Sequence, residues 1–325
     1  MNDLLFFNVQ DGYAEAFLRG LRKGFLSDGN YKAITAQNSL KDLKTTLLET
    51  DYSDYVKDWN ETDTTSLKLI LKRKLSDEVD YLQTVCGPEL QKFIQMIRHK
   101  YMIDNVINII EGSKNKTAKD IIQSRAEPLG YLPEISGLVN LEARKIDELY
   151  EDVLIDTEVG YYFSTFLEEI LQNSDIKQIS TIQNYLQNEL KPEKIKNYLK
   201  KIWLEHFYLY SKTLNSTTQE IMEDLLKIEA DCQAIQIVYN SLAYDFNQFQ
   251  EEERKRVIPN FGRIFINIGY LYPSVTSMLV KVSSIEMLKD CLQPFPNYYN
   301  MIKDIPDPKR IDDFNIQSGL RTLGK

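Results

Sequence analysis

Asp104, Asn105 and Asn108 lie inside the decapeptide YMIDNVINII, residues 101–110. Carboxylate and amide oxygens this close together are groups that bind a divalent cation or move a proton. Around them, Ile103, Val106, Ile107 and Ile110 follow the i, i+3, i+4, i+7 spacing of a helix with one buried face. Glu229 and Asp231 sit in a second such segment, IEADCQAIQIVYNSL at 228–242. There Ile228, Cys232, Ile235, Tyr239 and Leu242 keep a 4-3-4-3 spacing. Asp104 and Asp231 are 127 residues apart, which hints at an internal repeat. A carboxylate in an apolar helix must be paired or hydrogen-bonded. The expected role of Asp104, Asn105, Asn108, Glu229 and Asp231 is therefore structural, with a cationic or amide partner on a neighbouring helix.

Other reactive residue types are sparse. His99 and His206, the only histidines, stand in no HExxH or Cys/His cluster, and a zinc site needs more ligands at closer spacing. Both read as surface or half-buried helical residues. Cys86, Cys232 and Cys291 are far apart and odd in number, which suits a reducing compartment better than a disulfide framework. None has the basic surroundings that activate a thiol. Asp312-Asp313 is followed by Phe314, Asn315 and Ile316, so the third carboxylate of a magnesium-binding DDxxD is missing. GxGxxG, GxxxxGK[ST] and GxSxG do not occur. No catalytic, cofactor-binding or metal-binding residue is expected, and no cofactor.

The elements that position these residues are helices. Glycine is scarce, 13 of 325 residues, and strictly alternating segments are few. Residues 13–26 put Ala14, Phe17, Leu18, Leu21 and Phe25 on one stripe. Residues 39–48 read as a Ser39-capped helix with Leu40, Leu43 and Leu47 inward. Helical patterns from Lys68 to Leu90 and from Leu90 to Gly112 are divided by the turn Cys86-Gly87-Pro88. Residues 112–116 read as a loop, with Thr117 capping the next helix. A second helical block spans about 146–257, with a helix able to start at Pro192. The tail from Pro273 is the most broken part. The fold class is all-α.

The net charge is −9, from 39 basic and 48 acidic residues, so no basic face for nucleic acid is predicted. The basic runs at 68–74 and 191–201 read as solvated helix faces. The longest uncharged stretch, Ile264 to Val280, has 17 residues and includes Asn267 and Pro273. A bilayer span takes about 20. The N-terminus lacks the basic region of a signal peptide. The residues alone thus point to an acidic cytosolic helical scaffold or adaptor. A free-standing adaptor and, less well supported, a magnesium-dependent isoprenoid-type enzyme are the alternatives.

Read as phrases, the chain resembles subunit d of the vacuolar-type proton-pumping ATPase. The opening FFNVQDGYAEAFLRGLRKGFLSDGNY is similar to that family's FN-x3-GY-x5-RG-x3-G-x-L-x4-Y pattern, at Phe7, Asn8, Gly12, Tyr13, Arg19, Gly20, Gly24, Leu26 and Tyr31. LKDLKTTLLETDY at 40–52, YMIDNV at 101–106, Pro128-Leu129-Gly130, LYEDVLIDT at 149–157, the block ending in Glu229-Ala230-Asp231 with Asn240-Ser241, and Pro259, Gly262 and Arg263 follow in family order. The segment 172–190 is longer than usual. Family members continue past DPKRIDDF, whereas this chain ends at Lys325.

The resemblance implies a funnel of related helical lobes, here approximately 1–125 and 126–260, with 261–325 a partial third region. It implies a non-catalytic component that links central stalk subunits D and F to the proteolipid c ring, with subunit a of the membrane sector a further contact. The place implied is the cytoplasmic face of vacuolar or endosomal membranes, reached through partner subunits, in support of ATP-driven proton transport and acidification.

Overall fold

The computed structural model describes residues 11–61, 63–131, 157–173, 192–242 and 264–307. Phe7, Asn8, Pro259, Gly262, Arg263, Asp312, Asp313 and most of LYEDVLIDT lie outside them. Among the described residues the secondary structure is α-helix with one 3-10 turn, and no strand is present. The chain divides into two compact units, residues 1–196 and 197–325.

The first unit begins with α1 (Gly12–Lys23), α2 (Asp28–Thr35), α3 (Leu40–Leu48) and α4 (Ser53–Val56). Capping decides where these short helices start. Ser27 Oγ accepts from Asn30 N at 3.2 Å and Asn30 Oδ1 from Ser27 N at 2.9 Å, a reciprocal capping box at the head of α2. Ser39 Oγ accepts from Asp42 N at 3.1 Å above α3. Leu47 of α3 is buried with Val56, Trp59 and Leu67, and Leu40 and Leu43 pack around them. The stripe on α1 is core only in part. Ala14 is buried and Phe17 packs beside Leu82, Cys86 and Ile94, whereas Leu18 is exposed and Phe25, beyond the helix end, is 75% exposed.

Next come α5 (Thr64–Val85), capped by Asp63, and α6 (Pro88–Lys114), divided at Cys86-Gly87. Proline at the first position of α6 has no N–H to leave unpaired. α6 is more deeply buried than a one-faced helix. Ile103, Val106, Ile107 and Ile110 are inward as their spacing predicts, and Met102, Asn105 and Ile109 are buried too. The helix runs on to Lys114, and α7 (Lys119–Arg125) follows without a side-chain cap: its N-cap is Ala118, and Thr117 instead donates its backbone N–H to Gly112 O at 2.8 Å. The expected Thr117 cap is not used because α6 overruns residues 112–114 and the short connection closes through backbone. The 3-10 turn Pro128–Gly130 packs on both α5 and α6. α8 (Gly160–Asn173) completes the described part of this unit up to α9 (Pro192–Ser211).

The second unit is centred on α10 (Ser216–Leu242). Ala234, Ile235, Val238, Tyr239 and Leu242 form a core with Phe265, Leu271 and three short helices, α11 (Ser274–Leu279), α12 (Ile285–Leu292) and α13 (Pro296–Ile302). α5 and α6 contain 22 and 27 residues, α9 and α10 contain 20 and 27. Moved along the chain by the 127 residues that separate Asp104 from Asp231, α5 and α6 fall at 191–212 and 215–241, within one residue of α9 and α10 at every end.

Candidate functional site

The polar residues of α6 converge on one segment, Glu127–Tyr131. Asn105 Nδ2 donates to Glu127 O at 3.0 Å, and Asn105 Oδ1 accepts from Glu127 N at 2.7 Å. A single amide thus satisfies both backbone groups of one residue, the arrangement a neighbouring strand would otherwise supply. Arg98, two turns earlier on the same face of α6, donates from Nε to Leu129 O at 3.0 Å and from Nη2 to Tyr131 O at 3.4 Å. Its Nη1 reaches Asp80 Oδ1 at 2.5 Å and Gln83 Oε1 at 3.0 Å on α5. Ser76 Oγ donates to Pro128 O at 3.1 Å, and Lys72 pairs with the Glu127 carboxylate. Gly130 allows this approach: a Cβ there would run into the backbone of Tyr101 and Met102. These contacts tie the turn to α5 and α6, and α5 to α6 through Arg98.

Asp104 Oδ1 lies 2.7 Å from Lys196 Nζ on α9, both side chains keeping some access to water. Asn108, one turn beyond, is half-buried. His99 was expected to be exposed or half-buried and is instead buried. Its Nδ1 lies 2.8 Å from Tyr162 Oη on α8, and its Nε2 lies 3.0 Å from Glu158 Oε2 at the foot of that helix. The imidazole has two polar partners 59 and 63 residues away, which the local pattern around position 99 did not signal. The hydrogen bond from His99 holds the Glu158 carboxyl below its ordinary range, and burial pushes the Tyr162 phenol upward.

In the second unit Asp231, 1% exposed, gathers three donors. Tyr270 N donates to Oδ2 at 2.9 Å, Leu271 N to Oδ1 at 3.1 Å, and Tyr298 Oη to Oδ2 at 2.6 Å. These are two backbone amides and a phenol, not the side-chain cation or amide expected of a neighbouring helix. The turn that presents the two amides depends on Gly269, whose φ of +121° is open to glycine and strained for other residues. A Cβ at Gly269 would also strike the Asp231 carboxylate. Burial pushes the Asp231 carboxyl upward, against the three donors that favour its charge. Glu229 faces outward from this site, half-buried, accepting from Gln233 Nε2 at 3.1 Å. His206 is half-buried.

The three cysteines are free, and burial raises each thiol, Cys232 to about 11, so none is held as a thiolate. Among the described residues no group of three or more His, Cys, Asp or Glu is placed to hold a metal ion. The two long helices thus use their central polar residues in parallel ways: Asn105 fixes the turn that follows α7, and Asp231 fixes the turn that precedes α11. The sequence singled out both positions. It did not signal Arg98, Gly269 or Tyr298, nor the contacts of His99 and Gly130, because these depend on partners tens of residues away.

Comparison with known proteins bears on what this scaffold belongs to. The profile of the ATP synthase (C/AC39) subunit family matches residues 14–318. V-type proton ATPase subunit d of Dictyostelium discoideum is 31% identical over 312 residues, covering 95% of this chain and 80% of that protein. The subunit d of Saccharomyces cerevisiae is 30% identical over 305 residues, with 92% and 80% covered. That of Neurospora crassa is 32% identical over 299 residues, with 90% and 74% covered. With the match spanning both units, the chain belongs to the ATP synthase (C/AC39) subunit family, among the V-type proton ATPase subunits d.

Proposed function

We propose that this chain is the mechanical coupler of a V-type proton pump. Family membership makes it a non-catalytic subunit of a V-type ATPase. The finer reading places it between central stalk subunits D and F and the proteolipid c ring, with subunit a as a further contact. There it passes stalk rotation to the ring in support of proton transport and organelle acidification. Its position is peripheral, on the cytoplasmic face of vacuolar or endosomal membranes; no helix of the described residues is long and apolar enough to cross a bilayer.

The observation that supports this reading is the destination of the buried polar groups. Asn105, Arg98 and Ser76 tie backbone to helix in the first unit, and Asp231 does so in the second. Apolar packing is non-directional and lets elements slide, whereas hydrogen bonds fix register. A part that carries torque needs fixed register more than reactive groups. The matched lengths and positions of α5–α6 and α9–α10 favour related lobes, approximately 1–125 and 126–260, with 261–325 as a partial third.

Blue-native fractionation of membranes tests the assignment. The chain is expected to co-migrate with the membrane sector and to be recovered with the c ring and subunits D and F. Its consistent recovery apart from an intact pump would refute the assignment.

A further inference from the structure

α10 has two sides. Its C-terminal half enters the core through Ala234, Ile235, Val238, Tyr239 and Leu242. Further toward its N-terminus Ile221, Leu225 and Ile228 stand 55%, 54% and 44% exposed. They follow i, i+4, i+7 spacing and so share one face over about 10 Å of helix. Isolated exposed aliphatics are ordinary, but three in a helical row form a seam of the kind that packs against another helix.

The flanks of the seam are acidic. Glu220 and Asp224 are exposed on one side of it, and Glu229 is half-buried on the other. Lys227 is the one cation between positions 216 and 232. It lies 3.8 Å from Glu223 Oε2 and 5.5 Å from the centre of the Tyr270 ring. Asp224 in turn accepts from Tyr270 Oη at 2.5 Å, which holds its carboxylate beside the seam.

We infer that the face formed by Ile221, Leu225 and Ile228 is an interaction surface for an amphipathic helix of a partner protein, one whose own apolar stripe is flanked by Lys or Arg. The 4-then-3 spacing selects a helix over an extended segment, which would read alternate residues. The acidic flanks select a basic partner. They also disfavour two other occupants. A second copy of this chain, meeting the same patch about a two-fold axis, sets acid against acid. An anionic bilayer surface attracts basic helices and repels this one. The inference does not rest on the pump assignment, since the surface is a property of α10 in any assembly.

The test places the photoreactive residue p-benzoylphenylalanine at position 225 of the full chain in its native cells, followed by irradiation and mass-spectrometric identification of the cross-linked peptide. The expected product is a partner segment with apolar residues at helical spacing and Lys or Arg beside them. Glu220→Lys in the same background lowers the yield about threefold, as the loss of one exposed charge pair does. Ile228→Glu lowers it further, with circular dichroism unchanged in both. Cross-links to lipid, to a second copy, or to an acidic or extended segment overturn the inference, as does a folded chain that gives none. Blue-native migration is scored separately. A basic-helix cross-link in a chain that does not co-migrate with the pump retains this surface and removes the pump assignment, and co-migration without a cross-link does the reverse.

Discussion

Replacing Asp231 by alanine strands three donors at once. Tyr270 N, Leu271 N and Tyr298 Oη lose their acceptor at the centre of the second unit. A buried donor left without a partner costs about 1–3 kcal/mol, so the set of three costs about 3–9 kcal/mol. That is a large share of a domain stability of about 5–15 kcal/mol. Asp231→Asn keeps one oxygen and turns an NH2 toward an amide N–H, at about 1–3 kcal/mol. Tyr298→Phe removes one donor while two remain, so it should cost less than the alanine change. Hydrogen exchange of the full chain reads this locally. With 1.4 kcal/mol equal to a factor of ten, a loss of about 3 kcal/mol speeds exchange at Tyr270 and Leu271 about 100-fold. In an Asp231→Ala, Tyr298→Phe double mutant the costs should fall short of additivity, because the phenol no longer needs an acceptor. Unchanged exchange at Tyr270 and Leu271 in Asp231→Ala, or an alanine cost no greater than that of asparagine, would refute this account of the latch.

Asp104→Ala should be milder, about 1 kcal/mol or less in denaturant melts, because Lys196 retains access to water when its partner is lost; a loss above about 3 kcal/mol would mean the pair is desolvated. Asn105→Leu removes both partners of Glu127 and should destabilise the first unit by about 2–4 kcal/mol, with faster exchange at the Glu127 amide as the check. Because His99 holds the Glu158 carboxyl below its ordinary range, this pair adds stability that is complete above the ordinary carboxylate pKa and is lost as pH falls through the depressed one. Melting temperatures across the acidic range should show that loss in the wild-type chain and a smaller one in His99→Gln. Phe25→Ser should stay within about 0.5 kcal/mol of wild type by thermal melting, since Phe25 is 75% exposed.

The helices were legible wherever local rules decide them. Ser39 caps α3, Pro192 opens α9, and Ile103, Val106, Ile107 and Ile110 point inward, because capping and periodicity act over a few residues, whereas Pro88, read as part of the turn, is the first residue of α6. Phe25 and Leu18 continue the apolar spacing of α1 but meet no core, since periodicity gives a face and not what covers it. The proposed repeat starts from two acidic residues in apolar helices, whose partners differ in kind. Asp104 meets a lysine, whereas Asp231 meets a loop made possible by the backbone of Gly269. Neither glycine conformation nor a partner 67 residues away leaves a trace in the pattern around Asp231.

The different reach of the two latches sets an order of events on the ribosome. Asn105 finds both its partners on Glu127, 22 residues later, so α6 can be secured after about 1–4 s of synthesis at about 5–20 residues per second. Asp231 waits for Tyr298, 67 residues on, or about 3–13 s at the same rate. During that interval α10 carries a carboxylate that its core cannot yet accept in charged form. The latch of the second unit thus closes later in synthesis than that of the first.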